Sequence, residues 1–419
     1  MILNRILITM SNSLIEKKLI ADVIILIFNN LDFYSQKNLK LTSKFFGNYS
    51  ITNLFDETIR EKLTSKILKI YPNVIKLDIT GNQYIYEIND LIKLKILHIN
   101  DIFYPAIQGG DNFELRCKIN NDGISRLTNL TELSIDNNKL INDLNKLVNL
   151  QKISAYSDCA ITCKGFSKLT NLTELCVPFN RNIIQINSLI NLTKLDASGD
   201  CGINSNGIFE LINLTELYAD GNKNIIDINN LINLKKLSIA SLHSYTYDHD
   251  YLRNESGATN NGISKLTNLT WLNINSNSKI TEINNLINLK TLSAANIYNN
   301  FEWWGLSGIT NNSINKLSNL TKLNIDNNSN MTNLNSLFNL KKLSIANDFI
   351  SYDEYDYCQI SKLVITYDGI SSLRNLTKII ISGNKNISIK ELTRLTNLSN
   401  IRNDIFLSNS NIYFSDDDI

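Results

Sequence analysis

Apolar and polar positions follow one short pattern along most of the chain. In Leu127-Thr-Asn-Leu130-Thr-Glu-Leu133-Ser-Ile135-Asp-Asn-Asn138 it reads L-x-x-L-x-x-L-x-I-x-x-N. The first apolar position of each copy falls at Tyr71, Leu91, Leu127, Leu147, Leu169, Leu189, Leu211, Leu231, Leu266, Leu286, Leu317, Leu337, Leu373 and Leu395, which makes fourteen units in seven pairs. Within a pair the step is 20 residues (22 in the last pair); between pairs it is 36, 22, 22, 35, 31 and 36. The module is therefore a two-unit repeat with one fixed and one elastic joint. Leu133 and Ile135 are two apart, so both face one side of a short strand. Leu127 and Leu130 point inward from the bend before it. One unit cannot bury these side chains alone, whereas a stack of units makes a continuous core.

Two punctuation marks recur. A glycine stands four residues ahead of the first leucine in most odd units, at Gly123, Gly165, Gly207, Gly262 and Gly369, with Ser313 once in its place. It predicts a backbone turn into the next segment. An asparagine closes every odd unit, at Asn82, Asn138, Asn180, Asn222, Asn277, Asn328 and Asn384, while even units carry Ile102, Asp158, Asp200, Leu242, Ile297 and Asp348 there. Spacing and copy number together resemble the leucine-rich-repeat family. The resemblance implies an α/β leucine-rich-repeat solenoid with a curved parallel sheet on its concave face. It also implies that the asparagine bonds the backbone of its bend, so even bends are not locked in the same way. Every long insertion follows an even unit.

Ahead of the repeats the pattern changes to short helices. One is predicted from Asp22 to Leu31, a second after Ser35, and a third after Asn53 along Phe55, Ile59, Leu63 and Ile67, with Pro72 just beyond its end. Leu19, Asp22, Ile27-Phe28, Leu31-Asp32, Leu39, Leu41 and Ser43-Lys44-Phe45-Phe46 fall in a register that resembles an F-box, with Ile20 at the family's proline position. The resemblance implies docking on the Skp-family adaptor of a cullin ligase through Leu19, Ile20, Asp22, Ile27, Phe28, Leu31, Leu39 and Leu41. The same helices also serve as the cap that the apolar end of a repeat array requires. The expected organisation is a ragged segment 1–18, an F-box-like helical domain 19–70, the solenoid 71–404 and an acidic tail 405–419.

Composition changes little in this picture. The chain has 419 residues, 43% of them hydrophobic, with 41 basic and 40 acidic side chains and a net charge of +1. That balance gives no general affinity for nucleic acid or anionic membrane, and the longest apolar run, Val23 to Phe28, is far short of a span. Residues 1–10 lack a signal peptide's apolar run and cleavage site, and six scattered cysteines make no disulfide framework. A reduced compartment is expected: the cytoplasm, a host's included, or the nucleus. Asparagine, isoleucine and lysine are abundant, as in AT-rich genomes such as those of giant viruses or protists.

Two surfaces present themselves for a protein target. On the sheet face the first strand position reads Glu132, Lys152, Glu174, Lys194, Glu216, Lys236, an alternating ladder, and then Trp271, Thr291, Lys322, Lys342 and Lys378. The later stretch, with Ser293, Asn324 and Ser344 in its middle column, is expected to be the more open. The second surface is the set of insertions, where aromatic and acidic residues concentrate: Phe103 and Tyr104, then Tyr245, Tyr247 and Tyr251, then Tyr298, Phe301, Trp303 and Trp304, then Tyr352, Tyr355 and Tyr357. With Trp271 these rings are candidate anchors, or they fold back to cover the solenoid's flank. No catalytic constellation, phosphate loop or cofactor motif is present in the sequence. His243 and His249, beside Asp248 and Asp250, are not expected to form a metal site.

Overall fold

The computed structural model describes residues 35–38, 51–55, 60, 62–104, 113–157, 159–245, 251–296, 306–347, 364–395 and 397–402. The chain divides into an N-terminal part, Met1–Cys176, and a C-terminal part, Val177–Ile419. The N-terminal part carries β1 (Asn53–Leu54), β2 (Lys76–Asp78), β3 (Ile96–His98), β4 (Ile102–Tyr104), β5 (Phe113–Leu115), β6 (Glu132–Ser134), β7 (Lys152–Ser154) and β8 (Glu174–Cys176). There β1, β2, β3, β6, β7 and β8 pair in parallel in that order, and β4 and β5 form a separate antiparallel hairpin.

The C-terminal part carries β9 (Lys194–Asp196), β10 (Glu216–Tyr218), β11 (Lys236–Ser238), β12 (Leu242–Tyr245), β13 (Tyr251–Asn254), β14 (Trp271–Asn273), β15 (Thr291–Ser293), β16 (Lys322–Asn324), β17 (Lys342–Ser344), β18 (Lys378–Ile380) and β19 (Asn400–Arg402). All but the β12–β13 hairpin join one parallel sheet. Each predicted unit contributes one strand, and each part is an α/β leucine-rich-repeat solenoid. Leu127, Leu130, Leu133 and Ile135 are at most 1% exposed, as are their counterparts in most other units.

One strand precedes the units legible from the pattern. Asn53, predicted to open a third helix, lies in β1 opposite Lys76, and Leu54 is buried opposite Leu77. The helical turn that follows is Ser65–Leu68, capped by Thr64. Arg60 and Ser65–Leu68, farther along the predicted stripe, are helical. Among the described residues no helix is long and apolar enough to cross a membrane.

The units are joined by side-chain amides. Asn138 is wholly buried; its Nδ2 donates to the Ile99 carbonyl at 2.9 Å, and its Oδ1 accepts from the Leu140 and Ile141 amides at 2.9 and 3.0 Å. Asn222, Asn277 and Asn328 repeat this bridge to Ala197, Ile239 and Ala294. The residue just ahead of each such asparagine has positive φ, from Gly81 at 69° through Asn137 at 58° to Gly383 at 67°. Even Phe179 takes it, at 58°, and its ring fills the space over Gly199, where a Cβ would lie 2.4 Å from a ring carbon.

A second, exposed ladder uses the asparagine between the two leading leucines. Asn129 donates to Ile92 O, Asn171 to Val148 O, Asn213 to Ile190 O, Asn268 to Ile232 O and Asn319 to Ile287 O, all within 2.7–2.9 Å. A third clamps the helical turn of the following odd unit. Asn145 donates to Lys164 O and accepts from Lys168 N; Asn335 does the same with Asp368 O and Ser372 N. The asparagine excess therefore has a physical use, which composition alone did not reveal.

The recurrent glycine lies in the helical turn ahead of the odd unit, where the sequence reading put a backbone turn. Gly262 sits in the turn Asn260–Ile263, and a Cβ there would stand 1.9 Å from the Ile226 carbonyl oxygen. Close backbone approach, not positive φ, demands glycine. Ser313 is tolerated because its hydroxyl donates to the Thr281 carbonyl at 2.6 Å. Asn138→Ala is expected to lower stability by on the order of 3 kcal/mol, since it strands three buried backbone groups. Asn129→Ala should cost less than about 1 kcal/mol, because water replaces its exposed bond. Urea denaturation of both variants checks this, and equal losses would refute it.

Candidate functional site

The candidate site is the sheet face turned away from the core. Its alternating first column closes as predicted at two places. Lys152 Nζ lies 2.7 Å from Glu174 Oε1, which holds the lysine above its ordinary range, and Lys236 Nζ lies 3.5 Å from Glu216 Oε1. Exposed pairs of this kind contribute about 0–1 kcal/mol each. At the other end of the N-terminal part His98 Nε2 is 3.9 Å from Glu132 Oε1, and its ring meets Phe55 edge-on with centroids 4.4 Å apart.

In the C-terminal part the first column leads to an aromatic pair. Trp271 stands on β14 opposite Lys236, and its ring reaches back to Tyr218 on β10, with centroids 6.5 Å apart and planes tilted by 55°. Lys194 Nζ lies 5.8 Å from the centre of the Tyr218 ring. Both rings are half-buried. Farther along, the parallel register sets Lys322 beside Lys342 and Lys342 beside Lys378.

The middle column is not open as predicted. Asn324 and Ser344 are buried, and the serines are used inside the sheet. The acid or amide two residues after four of the odd strands accepts twice from the even strand beside it. Asp136 takes Ser154 Oγ and Tyr156 N at 2.6 and 2.9 Å; Asp220 takes Ser238 Oγ and Ala240 N at 2.6 and 2.7 Å. Asn275 takes Ser293 Oγ and Ala295 N, and Asp326 takes Ser344 Oγ and Ala346 N. This clamp spans the fixed 20-residue joint. Sequence reasoning missed it, although the recurring Asp or Asn two positions past the odd strand was its signal.

The elastic joints are held otherwise. Asp101 Oδ1 accepts from Cys117 N and Asn296 Oδ1 from Ser307 N, both at 2.7 Å, so the chain leaves and re-enters the stack at one point. The first two insertions are the β4–β5 and β12–β13 hairpins, which set Tyr104 opposite Phe113 and Tyr245 opposite Tyr251. Tyr247, Tyr298, Phe301, Trp303, Trp304, Tyr352, Tyr355 and Tyr357 lie outside the described residues, as do Leu19, Ile20, Asp22, Ile27, Phe28, Leu31, Leu39 and Leu41. Of the candidate anchors, Tyr245 and Tyr251 are backbone partners in the β12–β13 hairpin, while Trp271 belongs to the sheet face.

The chemistry of the described residues is that of a surface. Burial pushes the thiols of Cys117, Cys159 and Cys201 up to about 12, which makes them inert at neutral pH. Among the described residues no group of three or more His, Cys, Asp or Glu side chains could hold a metal. Burial also raises Asp220 to about 6, against the hydrogen bonds from Ser238 and Ala240 that lower it, with Asp196 adding to the rise. A carboxyl held above its unfolded value near 3.9 contributes stability that is complete below about pH 4 and is lost as pH rises through 6. Asp220→Asn, the side chain already used at Asn275, keeps both acceptor bonds and removes the titration. It should raise stability by on the order of 1–2 kcal/mol at pH 7.5 and leave it unchanged at pH 4. Denaturation midpoints at the two pH values test this; a gain independent of pH would refute it.

No family model matches the chain, and no curated protein matches it. Among solved structures it is similar to an internalin from Listeria monocytogenes, at 17% identity and a TM-score of 0.42, with 88% of this chain and 89% of that one covered. It is similar to a leucine-rich-repeat protein from Leptospira interrogans, at 21% identity and a TM-score of 0.41, with 81% and 92% covered. It is also similar to TLR13 in a complex with ssRNA13, at 20% identity and a TM-score of 0.48, with 84% of this chain covered. The chain spans 53% of the length of TLR13 in that structure.

Proposed function

We propose that the chain is a protein-interaction scaffold that recruits a target to a cullin-type ubiquitin ligase. Residues 19–46 dock on the Skp-family adaptor, and the repeats hold the target through the sheet face and the aromatic insertions. The chain itself catalyses nothing; it raises the target's effective concentration at the ligase. Such a role belongs in the cytoplasm or the nucleus. The observation that supports this reading is the F-box-like register from Leu19 to Phe46, which runs without a linker into the sheet beginning at Asn53. Co-purification with the adaptor is the expected outcome, with its loss in Leu31→Asp, which places a charge at an apolar docking position. Adaptor binding that persists in a chain lacking residues 1–50 would overturn it.

One observation favours a second role for the same segment. Residues 35–38 are helical, Gln36 is wholly buried, and its Oε1 accepts from the Thr52 and Asn53 amides at 3.0 and 3.4 Å. The helix thus satisfies the entry to the first strand, as a solenoid cap does. If the helices only cap, Gln36→Ala lowers the melting temperature and no adaptor is bound by any form of the chain. Adaptor capture by the wild-type chain would exclude that reading.

A further inference from the structure

The insertions of the C-terminal part follow β11, β15 and β17, at the C-terminal ends of those strands. The opposite edge is formed by the bends that lead into the strands. There the residue after each first leucine is exposed, and it reads Ile190, Ile212, Ile232, Thr267 and Ile287 on five successive units. Asn213 donates to Ile190 O, Asn233 to Ile212 O, Asn268 to Ile232 O and Asn288 to Thr267 O, all at 2.8–2.9 Å. These bonds hold the row in register, and its five members span about 20 Å. Stacking does not require isoleucine here, since Thr267 and Ser318 occupy the same position. Yet the four isoleucines are 53–54% exposed, and Phe209, three residues before Ile212, is equally exposed. Exposed apolar side chains gathered in this way mark an interaction site.

The charges beside the row say what covers it. The residue before each first leucine reads Ser188, Glu210, Asn230, Lys265 and Asn285. Glu210 and Lys265 are exposed and stand one unit to either side of Asn230. Two units, about 10 Å, separate them, so they do not meet within one chain. Consider a second copy set edge to edge and antiparallel, with a two-fold axis crossing the row at Ile232. Ile232 then meets Ile232, Ile190 meets Ile287, and Ile212 meets the methyl of Thr267. Glu210 of each copy meets Lys265 of the other. A two-fold interface requires this kind of self-complementarity, because one patch serves both sides.

We propose that two copies of the chain pair along this edge as an antiparallel two-fold dimer, with Ile232 on the axis and a Glu210–Lys265 ion pair on each side of it. A row about 20 Å long falls short of the roughly 800 Å² per partner of a standard interface. Lys235, exposed three residues past Ile232, also faces its own copy, and like charges oppose each other. The dimer is therefore weak, with a dissociation constant on the order of 10 µM. Each dimer presents two identical copies of every other surface of the chain, so it binds a multivalent partner with avidity.

The test is analytical ultracentrifugation of the full chain between about 1 and about 100 µM. The expected result is a reversible monomer–dimer equilibrium. Ile232→Asp, which sets two carboxylates against each other on the axis, should weaken it by about tenfold or more and leave the melting temperature unchanged. Glu210→Lys alone and Lys265→Glu alone should each weaken it by about fivefold. Both exchanges in one chain should restore it, as should an equimolar mixture of the two single variants. That rescue occurs only in the antiparallel register, and it reports on the dimer even where Ile232→Asp disturbs folding. A chain that stays monomeric at about 100 µM, a dimer indifferent to Ile232→Asp, or exchanged charges that bring no rescue would overturn the proposal.

Discussion

Everything in this fold depends on side-chain amides that stand in for backbone. A stack of three-residue strands joined by bends leaves many peptide groups facing the core or the neighbouring unit, and each must find a partner. Asparagine does this well because one short side chain both donates and accepts. Asn138 bridges one unit's carbonyl to two amides of its own bend, Asn129 ties the same joint at the surface, and Asn145 grips the helical turn beyond. The leucines supply the burial, and the amides set the distance and orientation at which the units stack.

The two kinds of joint divide the labour. At four of the fixed joints an Asp or Asn clamps the next strand's serine and amide. The elastic joint is closed at its root, by Asp101 onto Cys117 or by Asn296 onto Ser307. Once the root is closed, what lies between the two ends no longer affects stacking. A hairpin such as β4–β5 can grow there at little cost to the solenoid, since loop closure rises only slowly with length. This is a physical reason why aromatic insertions collect at one joint of the pair.

The sheet face shows what remains once those demands are met. Serines of its middle column are spent on the clamp. In its first column Lys152 meets Glu174, Lys236 meets Glu216, and Trp271 reaches Tyr218.

The sequence by itself determined the repeat, its pairing into odd and even units, the inward leucines and the buried asparagines, because each is a periodic signal and stacking reads periods directly. It also showed where insertions fall. Only the tertiary structure decided the rest. The strand at Asn53, the reason for glycine at Gly262, and the engagement of Ser344 by Asp326 all depend on a backbone or side chain from another unit. Such partners lie about 20 to 40 residues away in the chain yet about 5 Å away in space. Local pattern can say that a residue recurs; it takes the neighbouring unit to say what the residue touches.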